Sequence, residues 1–115
     1  MNSDNTIPEA DVREALAAQN TGALLLDVRE VDEFAAGHAV GAVSIPLSEI
    51  GQRVDELDKN IDIYVICKSG GRSAQVTAAL NGIDYRAKNV RGGSLEWYAE
   101  NLPFESDTSE SATVL

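Results

Sequence analysis

A chain of 115 residues and 12.3 kDa, 43% of them apolar, has room for one domain with its own core and not for two. A single Cys and a single His exclude an internal disulfide, a CxxC redox pair and a Cys/His zinc cluster, and a net charge of −10 argues against nucleic acid as a partner. The opening Met1–Thr6 has neither the basic start nor the apolar run of a signal peptide, and no later stretch reaches the length of a membrane span. A cytoplasmic location with no membrane partner is the expectation.

In chain order, Pro8 suits a first helical turn, and Val12, Ala15 and Leu16 follow at helical spacing, so a helix is expected to about Gln19. Asn20-Thr21-Gly22 breaks it. The run Ala23-Leu24-Leu25-Leu26-Asp27-Val28, apolar but for Asp27, reads as a strand covered on both faces. A short helical turn over Val31 to Ala36 is closed by Gly37, and a short strand over Ala42 to Ile45 is stopped by Pro46. Ser48 is a candidate cap for a helix carrying Ile50, Val54 and Leu57. A second buried strand, Ile61 to Ile66, leads into Cys67-Lys68-Ser69-Gly70-Gly71-Arg72. A helix is expected from about Ser73, with Val76, Ala79, Leu80 and Ile83 on one face. Ala87 to Val90 reads as a last strand, Gly92-Gly93 as a turn, and Ser94 to Asn101 as a final helix bearing Trp97. Alternating strands and helices indicate an α/β fold with a mainly parallel sheet. The domain is placed at 1–103, and the polar, acidic stretch 104–115 is read as a mobile tail.

Charge is unevenly spread. Residues 1–58 hold twelve acids and three bases, net −9, whereas residues 59–98 hold six bases and three acids, net +3. That basic window is either a fluctuation of a short segment or a small anion site, and it contains Cys67. In an open parallel sheet ligands bind beyond the carboxyl ends of the strands, where Cys67 falls. Gly70 and Gly71 let the loop curl its amides inward, and with the positive end of the next helix such amides form a nest for an anion. The anion here would be the sulfur itself, drawn toward thiolate beside Lys68 and Arg72. A lone Cys is otherwise an inert small hydrophobe; strand end, glycine pair, two cations and helix start meeting at this one favour an activated nucleophile.

The segment Cys67-Lys68-Ser69-Gly70-Gly71-Arg72-Ser73 resembles the active-site loop of single-domain rhodaneses. Leu26-Asp27-Val28-Arg29 with Glu33-Phe34 is similar to that family's Asp-Val-Arg strand end. Gly37-His38-Ala39-Val40-Gly41-Ala42 with Ile45-Pro46 is similar to its Gly-His signature, and Gly92-Gly93 with Trp97 fits its C-terminal part. The resemblance covers roughly residues 6–103 and implies a rhodanese-like, five-stranded, mainly parallel sheet with helices on both faces.

It further implies a sulfurtransferase without cofactor or metal. Cys67 takes sulfur from a small anionic donor such as thiosulfate and holds it as a persulfide among residues 68–73. Cyanide, a thiol or a protein then removes it. Arg72 is expected to hold or brace the loop, with Asp27 as its partner; Asp27 and Arg29 are supporting residues, though Asp27 can equally cap the following turn. Lys68 is expected to face solvent and attract anions, His38 to be structural, and Trp97 to be core or pocket wall. Lys68-Ser69 matches neither the doubly basic loop of thiosulfate-specific members nor the Gly-Ser pair of mercaptopyruvate-using ones. Three alternatives stay open: a protein-to-protein sulfur relay, a non-catalytic binding module, and a Cys-based phosphatase or arsenate reductase. The last has five residues between Cys and Arg, against four here.

Overall fold

The computed structural model describes residues 7–115; Met1–Thr6, expected to carry no leader signature, lie outside the described residues. Two apolar runs make the centre of the molecule. Leu24–Asp27 (β2) and Asp62–Ile66 (β5) pair in parallel, Leu24 opposite Ile63 and Asp27 opposite Ile66. Arg86–Val90 (β6) joins β5, Glu9–Ala10 (β1) joins β6, and Val43–Ser44 (β4) joins β2, giving a five-stranded parallel sheet in the order β1-β6-β5-β2-β4.

Both faces of the central strands are covered, so successive residues feed two different cores. Leu26, Ile63, Val65 and Cys67 pack with Val76 and Leu80 of Gly71–Asn81 (α4) and with Ile50 of Ile50–Arg53 (α3). Leu25, Tyr64 and Ile66 pack with Val12 and Ala15 of Val12–Gln19 (α1) and with Trp97 of Gly93–Ala99 (α5). Each fully buried aliphatic or aromatic side chain contributes about 1.5–3 kcal/mol over its exposed state, which makes the strands a firm anchor for the loops at their carboxyl ends. Val31–Ala36 (α2) comes after β2, and the antiparallel ribbon of His38–Ala39 (β3) with Phe104–Glu105 (β7) stands apart from the main sheet.

Several sequence-based expectations shift. Pro8 is not in a first helical turn: its carbonyl accepts from Asn89 N, it precedes β1, and α1 starts after Asp11 in a capping box with Glu14. Ser48 makes no cap; Leu47–Glu49 is a 3-10 turn, and the segment tightens again at Val54–Glu56. Helix α4 begins at Gly71, two residues early, which puts Arg72 and Ser73 in its first turn. Its buried face is Ser73, Val76, Thr77 and Leu80, while Ala79 and Ile83 are exposed. The stretch expected to trail as a mobile tail from 104 opens instead with β7, so the boundary at 103 falls inside a paired ribbon. Beyond it, Asp107 N and Thr113 N donate to Ala35 O and Ala36 O, the carbonyls left open at the end of α2.

Candidate active site

Strand β5 ends at Ile66, and Cys67 keeps the inward phase of Ile63 and Val65, so its side chain enters the core face at only 1% exposure. The chain then turns at Gly70, whose φ of +120° is open to glycine at little cost, and α4 starts at once. This brings Gly70 N to 3.1 Å from Cys67 Sγ, donating to it, and Ser73 Oγ to 3.2 Å. Burial opposes ionisation of the thiol. The Ser73 hydroxyl and the amides of Ser73, Gly70 and Ser69 outweigh it, and the thiol titrates below its ordinary range.

Arg72 does not reach Asp27 as its ion-pair partner; the pair expected between them is replaced by two others. Nη1 and Nη2 of Arg72 donate to Oε1 and Oε2 of Glu33 at 2.8 and 3.0 Å. Asp27 is taken by Arg29, both essentially unexposed, through Nε at 3.0 Å and Nη2 at 2.8 Å. Arg29 Nη2 also donates to Gly37 O at 2.9 Å and Nη1 to Glu33 O at 3.4 Å. Asp27 thus holds Arg29, Arg29 holds the backbone of α2, and α2 presents the Glu33 carboxylate to Arg72. The brace exists, but it runs through α2, which periodicity alone marks as no more than a short turn.

The basic window does not converge on one site. Arg72, Arg86 and Arg91 pair with Glu33, Asp62 and Glu9, while Lys59 and Lys88 lie over the rings of Tyr85 and Tyr64. Among the described residues Lys68 makes no ion pair, and it is half-buried. Ser69 is exposed, and Gly71 opens α4. His38 is buried, stacked on Phe34 at 3.7 Å with Nδ1 2.7 Å from Phe34 O. Trp97 is wholly buried and donates to Pro103 O at 2.9 Å.

Four neighbours of the loop escaped sequence reasoning in that role. Gly93, at φ +60°, starts α5 so close to the loop that a Cβ would lie 2.5 Å from both Cys67 O and Lys68 O. Ser94 N and Leu95 N donate to those same carbonyls at 2.8 and 3.1 Å, so the end of β5 is clamped by the start of α5. Asn89, 3% exposed on β6, contacts Ser73 Oγ through Oδ1 and Gly70 O through Nδ2. A signal for Asn89 was present: in Arg86-Ala87-Lys88-Asn89-Val90 the alternation puts a polar amide at an inward position.

Fold and loop together define an α/β domain that presents one acidified thiol at the carboxyl end of a parallel sheet. The chain matches the Rhodanese-like domain family over residues 10–100 and belongs to that family. It is 38% identical over 79 residues to the putative sulfurtransferase YtwF of Bacillus subtilis, covering 69% of this chain and 77% of that protein. To a sulfurtransferase of Allochromatium vinosum it is 37% identical over 87 residues, covering 75% of this chain and 81% of the relative. The putative sulfur carrier protein YrkF of B. subtilis is 39% identical over 74 residues; the match covers 64% of this chain and spans 40% of that relative's length. Among solved structures, a thiosulfate sulfurtransferase from Pseudomonas aeruginosa superposes with a TM-score of 0.80 at 26% identity, over 95% of this chain and 22% of that one. A rhodanese-related protein from Thermoplasma volcanium gives 0.79 at 28% identity, over 84% and 96%.

Proposed function

We propose that this chain moves a sulfane sulfur from a small anionic donor such as thiosulfate to a thiophilic acceptor, with Cys67 as the nucleophile. The Cys67 thiolate attacks the outer sulfur of the donor, a new S–S bond forms, and sulfite leaves with the electron pair of the bond that breaks. Cyanide or a thiol then attacks the terminal sulfur, and Cys67 departs as thiolate. No general base is required when the thiolate pre-exists.

The observation that carries this reading is the surroundings of Sγ at the start of a helix: the Gly70 amide donates to it, and the Ser73 hydroxyl stands 3.2 Å away, able to donate once turned toward the sulfur. The same inward donors suit a terminal persulfide anion. Lys68, half-buried in the loop, is the group placed to attract an anionic donor. Four residues between Cys67 and Arg72, with Arg72 bound to Glu33, favour a single sulfur over a tetrahedral oxyanion.

A second reading, transfer between protein partners in the cell, is favoured by the likeness to a putative sulfur carrier protein. The chain is incubated with thiosulfate, its mass measured for one added sulfur on Cys67, and the loaded protein offered cyanide or a protein thiol. Loading followed by thiocyanate release supports the first reading; loading discharged only to a protein thiol supports the relay. A Cys67-dependent aryl phosphatase or arsenate reductase rate without loading overturns both.

A further inference from the structure

One proton beside Cys67 has two claimants. Asn89 Nδ2 donates to Gly70 O at 3.3 Å and faces Glu9 Oε2 at 3.5 Å, and both of those oxygens can only accept. The amide is thereby pinned, since turning it over would set its oxygen against a carbonyl and a carboxylate. Oδ1 faces Ser73 Oγ at 2.5 Å and takes the hydroxyl proton. Ser73 has that single proton to give and lies 3.2 Å from Cys67 Sγ. While the proton points at Asn89, Ser73 meets the sulfur with a lone pair, an arrangement that suits a thiol S–H and not a thiolate.

We infer that Asn89 is a positioning residue that restrains the ionisation of Cys67: it competes with the sulfur for the Ser73 hydroxyl proton, and the thiolate forms as that hydroxyl turns from Asn89 Oδ1 to Cys67 Sγ. The S–H proton leaves to solvent; the Ser73 O–H bond is kept throughout and only its acceptor changes. The Gly70 amide donates to the sulfur in either state and does not set the direction. Other charged groups on the surrounding elements are Arg72 of α4 with Glu33 of α2, the Asp27–Arg29 pair after β2, Lys68 in the loop, Glu96 of α5, and Glu9 with Arg91 behind Asn89. Of these only Glu9 touches the amide, through Nδ2, and removing the amide also frees Gly70 O; the Ser73→Ala background separates those losses from the Asn89–Ser73 bond.

Cys67 is the one thiol in the sequence, so the pH dependence of its alkylation by iodoacetamide reads its ionisation without background. This readout does not involve sulfur transfer, and it stands or falls separately from the proposed activity. Asn89→Ala and the near-isosteric Asn89→Leu are expected to lower the apparent pKa by about half a unit to one unit, the worth of one exchanged hydrogen bond. Ser73→Ala is expected to raise it, and adding Asn89→Ala to Ser73→Ala to shift it no further. In the unsubstituted protein the side-chain carbonyl carbon of Asn89 should move through the Cys67 transition by NMR, while that of Asn81, which accepts from Ala87 N, stays still. A rise or no change in the Asn89 variants, an Asn89 effect that survives without the Ser73 hydroxyl, or an invariant Asn89 carbonyl overturns the inference.

Discussion

Arg72 in the first turn of α4 and Glu33 on α2 form a two-bond ion pair, at 2.8 and 3.0 Å, across 39 residues of chain. Both side chains are partly exposed, 34% and 17%, so the coupling is modest, about 1 kcal/mol in a double-mutant cycle of Arg72→Ala with Glu33→Gln. Stability by urea denaturation and rate of sulfur transfer are both to be measured. Arg72→Ala with Asp27→Ala is expected to show weaker coupling, because those residues share no hydrogen bond and are joined by a longer-range charge interaction and by the chain of contacts through Arg29 and α2.

The same pair makes stability fall in acid. The Arg72 guanidinium, with the Glu30 amide, lowers the Glu33 carboxyl from its ordinary 4.5 to about 2 against the pull of burial. A folded value below the unfolded one means that the unfolded chain takes up the proton first as pH falls. The contribution is therefore fully present above 4.5 and is lost progressively toward 2. Urea midpoints of wild type and Glu33→Gln should differ by a constant amount above that window and converge within it; parallel curves down to the lower limit would refute the assignment.

Asp27 and Arg29 form a different kind of pair, with essentially no exposed surface. Removing one partner leaves an uncompensated buried charge, and Asp27→Ala should cost about 3–5 kcal/mol in chemical denaturation. Arg29→Ala also releases Gly37 O and Glu33 O from their donor, so it should additionally loosen α2, seen as faster amide exchange over residues 31–36.

Gly93→Ala tests the clamp on the end of β5. A methyl group 2.5 Å from two carbonyl oxygens forces the loop or α5 to move, and the φ of +60° adds strain of about 1–2 kcal/mol. Sulfur transfer is expected to fall more than the melting temperature suggests, because the displaced atoms are the backbone of Cys67 and Lys68. Loss of stability with full turnover would show that the clamp does not position the sulfur.

Cys67→Ser exchanges a polarizable thiolate for a hydroxyl that stays protonated near neutral pH, at nearly the same volume. Transfer from thiosulfate to cyanide should drop to the level of buffer, with the circular dichroism spectrum unchanged. Retained turnover would remove Cys67 from the mechanism.

The sequence disclosed what periodicity and local motifs encode. The runs at 23–28 and 61–66 are apolar apart from Asp27 and Asp62 because both faces of those strands are buried, and that pattern located the parallel sheet and put Cys67 at its carboxyl end. Partner choice among charged groups was not legible. Arg72 was assigned to Asp27 from its place at a neighbouring strand end, and the burial of Arg29 beside Asp27, which leaves Glu33 to Arg72, is a tertiary fact. Nor was the ribbon of His38–Ala39 with Phe104–Glu105 legible, since two-residue strands carry no period; the acidic composition of the last residues reads as solvated whether or not their amides find carbonyls. Asn89 and Gly93 lie 22 and 26 positions after Cys67, and the sheet order that brings β6 and α5 beside the loop is a tertiary fact.

That Cys67 stands without a second thiol in these 115 residues sets how the molecule meets oxidants. A sulfenic acid at this position has no neighbour with which to close a protective disulfide, so over-oxidation competes directly with rescue by thiols from solution. With the residue only 1% exposed, oxidant and rescuing thiol face the same burial, and the defence against peroxide becomes one of access rather than of chemistry.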